Sequence, residues 1–296
     1  MIIYFFLNNS MRAGWLGRVL FAFTILGGFC VWLSELLTDD QIFSSISKIF
    51  EISNNWSKHE TFTGRLIENS QLTASTHHLR IALAKKMTIK EGQSVGVLVS
   101  DTHRLYSVAN QVVLHSRIRS QVIDLCVKRL KNGVGSNYLC DSYIGSEIKM
   151  FGPIGNELVL PEQFDKDIIL IATGTGIAPF RGILQKFVKS NYNGKIKLFF
   201  GCRNKNDFLF EDEIREMSNT LKLEIHVAYS SEGLYVQELI KSEISNIKIL
   251  IDRGALIMIC GGKDMGRDVK KMLADVLGKT LLKELKKSQR LRAELY

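Results

Sequence analysis

From Thr61 onward, apolar and polar positions alternate in short segments: FTGRLIEN, HHLRIALA, QSVGVLV, HRLYSVAN, SQVIDLCVKRL and EIKMFG. A period of two turns one face of a strand inward and the other outward. Several such strands at close spacing predict an antiparallel barrel or sandwich. From Asp167 the pattern changes. DIILIAT and IKLFFG are unbroken apolar runs, as expected of strands covered on both faces, and LEIHVAYS and ALIMICG follow them. The intervening FRGILQKFVKS and FEDEIREMSNTL have helical spacing. Strand, glycine loop, helix and strand in that order predict a doubly wound parallel sheet. The change falls near Pro161, so the pattern predicts an all-β domain over 59–161 and an α/β domain over 162–296.

The chain before Thr61 follows neither pattern. WLGRVLFAFTILGGFCVWLSELL holds sixteen consecutive uncharged residues between Arg18 and Glu35. At about 1.5 Å per residue these cover roughly 24 Å, and Trp15, Arg18, Trp32 and Glu35 sit where interfacial anchoring supplies the remainder of a bilayer core. Bulky Phe29, Val31, Trp32 and Leu33 disfavour signal or lipoprotein cleavage around Cys30. The reading is a single-pass transmembrane helix within an anchor of residues 1–40, followed by a connector over 41–58; a buried globular helix is the alternative. Arg12 and Arg18 before the segment and Glu35, Asp39 and Asp40 after it would send the bulk of the chain across the membrane. The scattered, unpaired cysteines outweigh so few charges, and the two domains after the anchor are expected to face the cytoplasm.

Composition narrows the classes. The five cysteines, Cys30, Cys126, Cys140, Cys202 and Cys260, are scattered without a C-x-x-C, which argues against a disulfide framework or a zinc site and for a reducing compartment. A formal charge of +9 suits an acidic protein or an anionic membrane surface, or simply a lysine-rich proteome. Basic patches interleaved with aromatics are absent from the sequence, so nucleic-acid binding is not expected. His77 and His78 are adjacent on a strand and point to opposite faces, which excludes a metal pair. KTLLKELKKSQRLR has six cations against one carboxylate; it is either a solvated helix face or a docking surface for an acidic redox partner.

The stretch LIATGTGIAPFRG carries the chemistry most openly. Ile168–Ala172 is read as a strand and Thr173–Ala178 as a turn in which Gly174 and Gly176 let backbone N–H groups approach a pyrophosphate. Pro179 fits the first turn of the next helix. The usual acidic residue for a ribose is missing about twenty positions on; Lys195, Lys197 and Arg203 stand there instead, which favours a 2′-phosphate.

ATGTGIAPFRG, FFGCRNKNDFLFEDEI, HVAYS, YVQELI and IMICGGKDMGRDV occur in an order that resembles the NADP domain of ferredoxin–NADP reductases, nearest the diflavin branch of sulfite reductase flavoprotein and cytochrome reductases. RLYSVAN and GVGSNYLCD resemble the FAD site of the same family, and the chain ends in an aromatic, Tyr296. The resemblance covers residues about 60 to 296. It implies FAD and NADPH as cofactors, with NADH possible. Arg104 would neutralise the FAD pyrophosphate, Tyr106 would stack on the flavin and Ser107 would hydrogen-bond near its N5. Gly133, Val134, Gly135 and Ser136 would present N–H groups and a hydroxyl to the FAD phosphates. Tyr138 would pack inside, and Cys140 would be structural. Gly174, Thr175 and Gly176 would hold the NADPH pyrophosphate with Arg203 beside it. Ser230, Tyr235 and Gln237 would grip the 2′-phosphate, although Ser231 replaces the family's basic residue and the shortened loop lacks its lysine. Cys260, Glu294 and Ser107 would flank the hydride path, and Tyr296 would lie on the flavin ring.

About sixty residues precede the FAD module, mostly the candidate anchor, so no FMN-binding flavodoxin domain is expected there. Electrons would leave for a flavodoxin, ferredoxin, haem protein or membrane-bound metal-reducing partner. The expected protein is a membrane-anchored FAD-dependent NAD(P)H reductase. The rival from another class is a non-catalytic, nucleotide-binding scaffold subunit of a membrane redox complex.

Overall fold

The computed structural model describes residues 60–100 and 102–296, which belong to one compact unit, Glu60–Tyr296. The candidate anchor and the connector lie outside the described residues. Among the described residues no helix is long and apolar enough to cross a membrane.

The first half is a seven-stranded antiparallel sheet of β1 (Thr61–Thr73), β2 (Thr76–Leu83), β3 (Ser94–Val99), β4 (Thr102–Ser107), β5 (Leu114–His115), β6 (Ser120–Lys128) and β7 (Glu147–Ile154), in the order β4-β3-β7-β1-β2-β6-β5. Val108, just past β4, bridges Leu125 of β6, and Ala109 N–H donates to Asp124 O at 2.8 Å; these contacts curl the sheet toward a closed barrel. The alternation in the sequence becomes a core of Leu66, Leu79, Ile81, Val95, Val97, Ile123, Leu125, Ile148 and Met150. The first helix, α1 (Val134–Asp141), interrupts the strands between β6 and β7; the sequence pattern does not announce it.

The second half is a parallel sheet of β8 (Ile168–Thr173), β9 (Ile196–Cys202), β10 (Leu223–Tyr229), β11 (Leu256–Gly261) and β12 (Leu291–Leu295), in the order β10-β9-β8-β11-β12. α2 (Ile177–Lys189) and α3 (Glu211–Met217) cover one face. α4 (Val236–Ser242), α5 (Ile244–Asp252), α6 (Lys263–Leu277) and α7 (Lys279–Lys287) cover the other. Strand order doubles back beside β8, so the carboxyl ends of β8 and β11 form a topological switch point, where open α/β sheets bind ligands. The apolar runs at β8, β9 and β11 are buried throughout because both faces are covered. The basic run KTLLKELKKSQRLR is helix only as far as Lys287: after α7 the chain turns back as the edge strand β12 and brings Glu294 and Leu295 to the switch point.

Candidate functional site

β12 pairs with β11 in a register that sets Glu294 against Cys260. From there the Glu294 side chain reaches the barrel. Its Oε1 accepts from Ser94 Oγ at 3.1 Å and from Ser107 Oγ at 3.5 Å. Burial pushes the Glu294 carboxyl above the usual carboxylate range, and the nearby Glu157 charge adds to this, while the two serine hydroxyls oppose it. Cys260 is wholly buried; burial, with the Glu294 charge beside it, raises its thiol well above the ordinary range. It is therefore a neutral S–H at physiological pH and a poor nucleophile. Three of the sequence-predicted residues, Ser107, Cys260 and Glu294, thus come together where the two halves of the molecule meet.

The glycine loop after β8 forms a short 3₁₀ turn, Gly174–Gly176, before α2 begins. Gly174 has φ +52° and open space around a would-be Cβ. Gly176 is constrained differently: a Cβ there would stand 2.1 Å from the Cys260 carbonyl oxygen, so only glycine lets the loop cross the end of β11. Thr175 Oγ1 lies 2.8 Å from the hydroxyl of Tyr296, whose side chain remains half exposed. Pro179 occupies the third position of α2, where an N–H would have no intrahelical acceptor.

On the barrel, β4 presents Arg104, Tyr106 and Ser107. Arg104 Nη1 donates only locally, to Thr102 Oγ1 at 2.9 Å and His103 O at 2.7 Å. Burial pushes the Tyr106 phenol up to about 12. α1 approaches so closely that a Cβ on Gly135 would lie 2.9 Å from Arg104 Cγ and 3.1 Å from the Tyr106 hydroxyl. That brings the first-turn N–H groups of Val134, Gly135 and Ser136, which have no intrahelical acceptor, next to the Arg104 side chain. Helix N–H donors and a cation suit a pyrophosphate, and a half-buried aromatic beside them suits an isoalloxazine ring, so the donor set fits FAD. Two expectations change. The Gly133 N–H, expected on the FAD phosphates, is donated within the turn to Leu130 O at 3.0 Å. The Ser136 hydroxyl is buried and committed to the turn before the helix, accepting from Leu130 N–H at 3.1 Å and donating to Gly133 O at 3.2 Å. It shapes the Gly133 turn, and its one hydrogen is not free for a phosphate. Tyr138 packs partly against the barrel core, and the buried Cys140 has Sγ 3.9 Å from Val127 O.

At the carboxyl edge of the α/β sheet, Ser231 N–H donates to Arg203 O at 2.9 Å, tying the loop after β9 to the turn containing Ser230. Tyr235 is half exposed at the start of α4, with its N–H capped by Glu238 Oε2 at 2.8 Å, and Gln237 follows within the first turn. Arg203, Ser230, Tyr235 and Gln237 therefore lie along one edge. Lys195 and Lys197 do not join them. Lys195 immediately precedes β9 and Lys197 is its second residue, so both are at the amino end of the strand, away from the nucleotide edge. Lys197 is buried beneath α5 and paired with Glu224 and with Glu243, the latter at 3.1 Å. Counting positions from the glycine loop placed these cations near the ribose; the direction of the strand places them a strand length away.

Two groups were missed from the sequence. Ser94, buried on β3, is one. The other is an ionic cluster joining the barrel to α2. Arg181 Nη1 donates to Asp124 Oδ2 at 2.9 Å and to Ala109 O at 2.9 Å, and its Nε donates to Glu213 Oε2 at 2.7 Å. Arg80 Nε at 3.3 Å and His78 Nε2 at 3.1 Å also face Asp124, and the Arg181 guanidinium lies 4.5 Å above the Phe210 ring. No motif marks such a cluster, because its members come from separate strands and helices. The two adjacent histidines do diverge: His77 Nδ1 meets Asn69 Oδ1 at 2.8 Å, while His78 faces Asp124. Among the described residues no histidine, cysteine and carboxylate group is arranged to hold a metal.

The barrel matches the oxidoreductase FAD-binding domain model over residues 63–157, and the parallel-sheet half matches the oxidoreductase NAD-binding domain model over 170–271. Ferredoxin–NADP reductase, leaf isozyme 1, chloroplastic, of Oryza sativa subsp. indica is 28% identical over 288 residues, covering 83% of this chain and 79% of the rice protein. The ferredoxin–NADP reductase of Spirulina sp is 28% identical over 289 residues, covering 82% of this chain and 98% of its own. In fold, the chain is similar to ferredoxin–NADP⁺ reductase from Plasmodium falciparum, with TM-score 0.66 at 22% identity over 80% of this chain and 96% of that one. Amycolatopsis cytochrome P450 reductase has TM-score 0.64 at 21% identity, covering 80% of this chain and 70% of its own. With the donor set at β4 and α1, the glycine loop at the switch point and both domain models in register, the chain belongs to the ferredoxin–NADP reductase family and is an NAD(P)H-dependent FAD oxidoreductase.

Proposed function

We propose that the protein is a membrane-anchored reductase that takes electrons from NADPH and passes them singly to a separate acceptor protein. FAD, when bound, accepts a hydride from NADPH and releases electrons one at a time. The observation that carries this reading is the convergence of Ser107, Cys260 and Glu294 at the meeting of the two domains, with Tyr296 and Thr175 alongside. Residues from both domains can then hold donor and acceptor rings at near-attack distance. Arg104 and the first turn of α1 hold the FAD phosphates, Tyr106 backs the flavin, and Gly174, Thr175 and Gly176 cradle the NADPH pyrophosphate. Ser230, Tyr235 and Gln237 hold the 2′-phosphate, and Arg203, which the resemblance sets beside the pyrophosphate, is tied to the same edge through Ser231 and joins that hold. Tyr296 covers the flavin and gives way to the nicotinamide.

The acceptor is a ferredoxin or flavodoxin, with a haem protein or metal-reducing membrane partner as further candidates. Support comes from the ferredoxin reductases among its relatives and from α7. Lys279, Lys283, Lys286 and Lys287 on that helix are all exposed and enter no ion pair among the described residues, which suits an acidic partner. Residues 15–37 anchor the chain, and the catalytic domains face the cytoplasm, where NADPH and reduced thiols are found.

An anaerobic titration tests the redox core. The purified protein should be yellow, bleach with NADPH, and then reduce a ferredoxin or flavodoxin in an acceptor screen. A colourless protein that binds NADPH without reducing any acceptor would sink the proposal. Protease added to sealed vesicles tests the topology: cleavage in the Lys286–Arg292 region from the extracytoplasmic side would overturn the cytoplasmic placement.

A further inference from the structure

Ser94 lies on β3 directly across the ladder from Ser107 on β4 and is almost fully buried. Its Oγ is 3.1 Å from Glu294 Oε1 and 3.4 Å from Ser107 Oγ. A hydroxyl has one hydrogen to give. The carboxyl oxygen is both the nearer acceptor and the stronger one, so that hydrogen goes to Glu294. Ser107 Oγ, at 3.5 Å from the same oxygen, is at the limit of a hydrogen bond and holds Glu294 only weakly. Glu294 needs a second support. It sits on an edge strand that, among the described residues, pairs with β11 alone, so no second strand holds it.

We propose that Ser94 is a positioning residue of the transfer site: its hydroxyl, donated from the barrel to the last strand of the other domain, fixes the Glu294 carboxyl and, through the shared Oε1, the place of Ser107. The inference rests on the reading of Ser107, Cys260 and Glu294 as the flank of the hydride path. Burying a hydroxyl is costly unless it is paired, and within an otherwise apolar stretch of β3 that includes Val95 and Val97, the Glu294 carboxyl is the acceptor that repays the burial. The ionisable groups facing Glu294 are Glu157 from the loop after β7, Cys260 on β11 and Tyr296 just past β12; none carries positive charge. Ser94 and Ser107 are therefore what favours the carboxylate form, and of the two Ser94 is closer.

The test uses the full-length, FAD-loaded protein carrying ¹³C-labelled glutamate, with the Glu294 carboxyl assigned by its disappearance in Glu294→Gln and followed through a pH titration. In Ser94→Ala the Glu294 carboxyl should titrate at higher pH than in the wild type. Turnover with NADPH, kcat, should fall about tenfold, the scale expected for one lost hydrogen bond to a charged group, while KM for NADPH stays within about twofold. Ser94→Thr, which keeps the hydroxyl, should restore both the titration and kcat, and Ser94→Cys serves the same purpose if the added methyl group is crowded. An unmoved Glu294 titration in Ser94→Ala would overturn the role of Ser94. A shifted titration combined with wild-type turnover in Glu294→Gln would instead overturn the underlying reading of the site.

Discussion

The hydroxyl of Tyr296, the last residue of the chain, lies 2.8 Å from Thr175 Oγ1 in the glycine loop that follows β8. Carboxyl terminus and nucleotide loop are thereby in direct contact. A ring held by one hydrogen bond and half exposed can cover a flavin and still leave. Its displacement makes binding energy from the far end of the dinucleotide useful, because that energy helps drive the ring off. Replacing Tyr296 by Ser should tighten NADP⁺ binding and improve NADH turnover relative to NADPH. Steady-state kinetics with both nucleotides would check this, and an unchanged preference would show that Tyr296 does not cover the flavin.

Two cations that lie close together in sequence, Arg203 and Lys197, should separate cleanly in their effect on NADPH. Arg203→Ala should raise KM for NADPH about tenfold and leave KM for NADH nearly unaltered. Lys197→Met should leave the ratio of the two KM values unchanged, because Lys197 is engaged with Glu224 and Glu243 beneath α5. It should instead lower the unfolding midpoint, since removing one partner leaves carboxylates without their cation. Equal effects of both substitutions on NADPH would contradict this assignment.

Gly176→Ala should be far more harmful than Gly174→Ala. A methyl at 176 meets the Cys260 carbonyl at 2.1 Å, whereas at 174 it meets open space and suffers only the strain of φ +52°. The expected losses are about 3 kcal/mol or more for Gly176→Ala, and on the order of 1 kcal/mol for Gly174→Ala. Denaturant unfolding of the two variants measures the difference.

Asp124 makes the junction between the domains sensitive to acid. Burial raises its pKa, but the hydrogen bond and charge of His78, and the charge and hydrogen bond of Arg181, outweigh burial and hold the carboxyl below its ordinary value. A depressed carboxylate contributes stability that is fully present above its unfolded pKa, near 4, and is lost as pH falls through the lower folded value. The wild type should therefore lose stability in that acid window, and Asp124→Asn should lack that part of the loss. At neutral pH, Asp124→Asn should cost about 3 kcal/mol by leaving Arg181 short of a counter-charge. Unfolding curves from pH 7 down to about pH 3 would test both statements.

The alternating segments before Pro161 and the unbroken apolar runs after Asp167 already contained the two architectures, because a strand exposed on one face and a strand buried on both demand different residues. The glycine loop was equally plain, since Gly174, Gly176 and Pro179 are answers to backbone conformation and need no distant partner to be understood. Arg104, Tyr106 and Ser107 were found because RLYSVAN is contiguous and resembles the FAD site of the ferredoxin–NADP reductases. α1, β12 and the Glu294 tether were different. Eight residues of helix between strands make too few turns to show a period, and β12 is too short to read as anything but the end of a basic run. Lys197 shows the same limit: its distance along the chain from Gly174 is that of a ribose-binding residue, but β9 runs parallel to β8, so its second residue lies at the amino edge, away from the glycine loop. Ser94, Asp124 and Arg181 acquire meaning only from partners many residues away. Local pattern thus determined the elements and the phosphate loop, for these depend on the chain's own period. The tertiary structure decided which side chains meet, because burial and strand direction, rather than sequence spacing, set the distances between them.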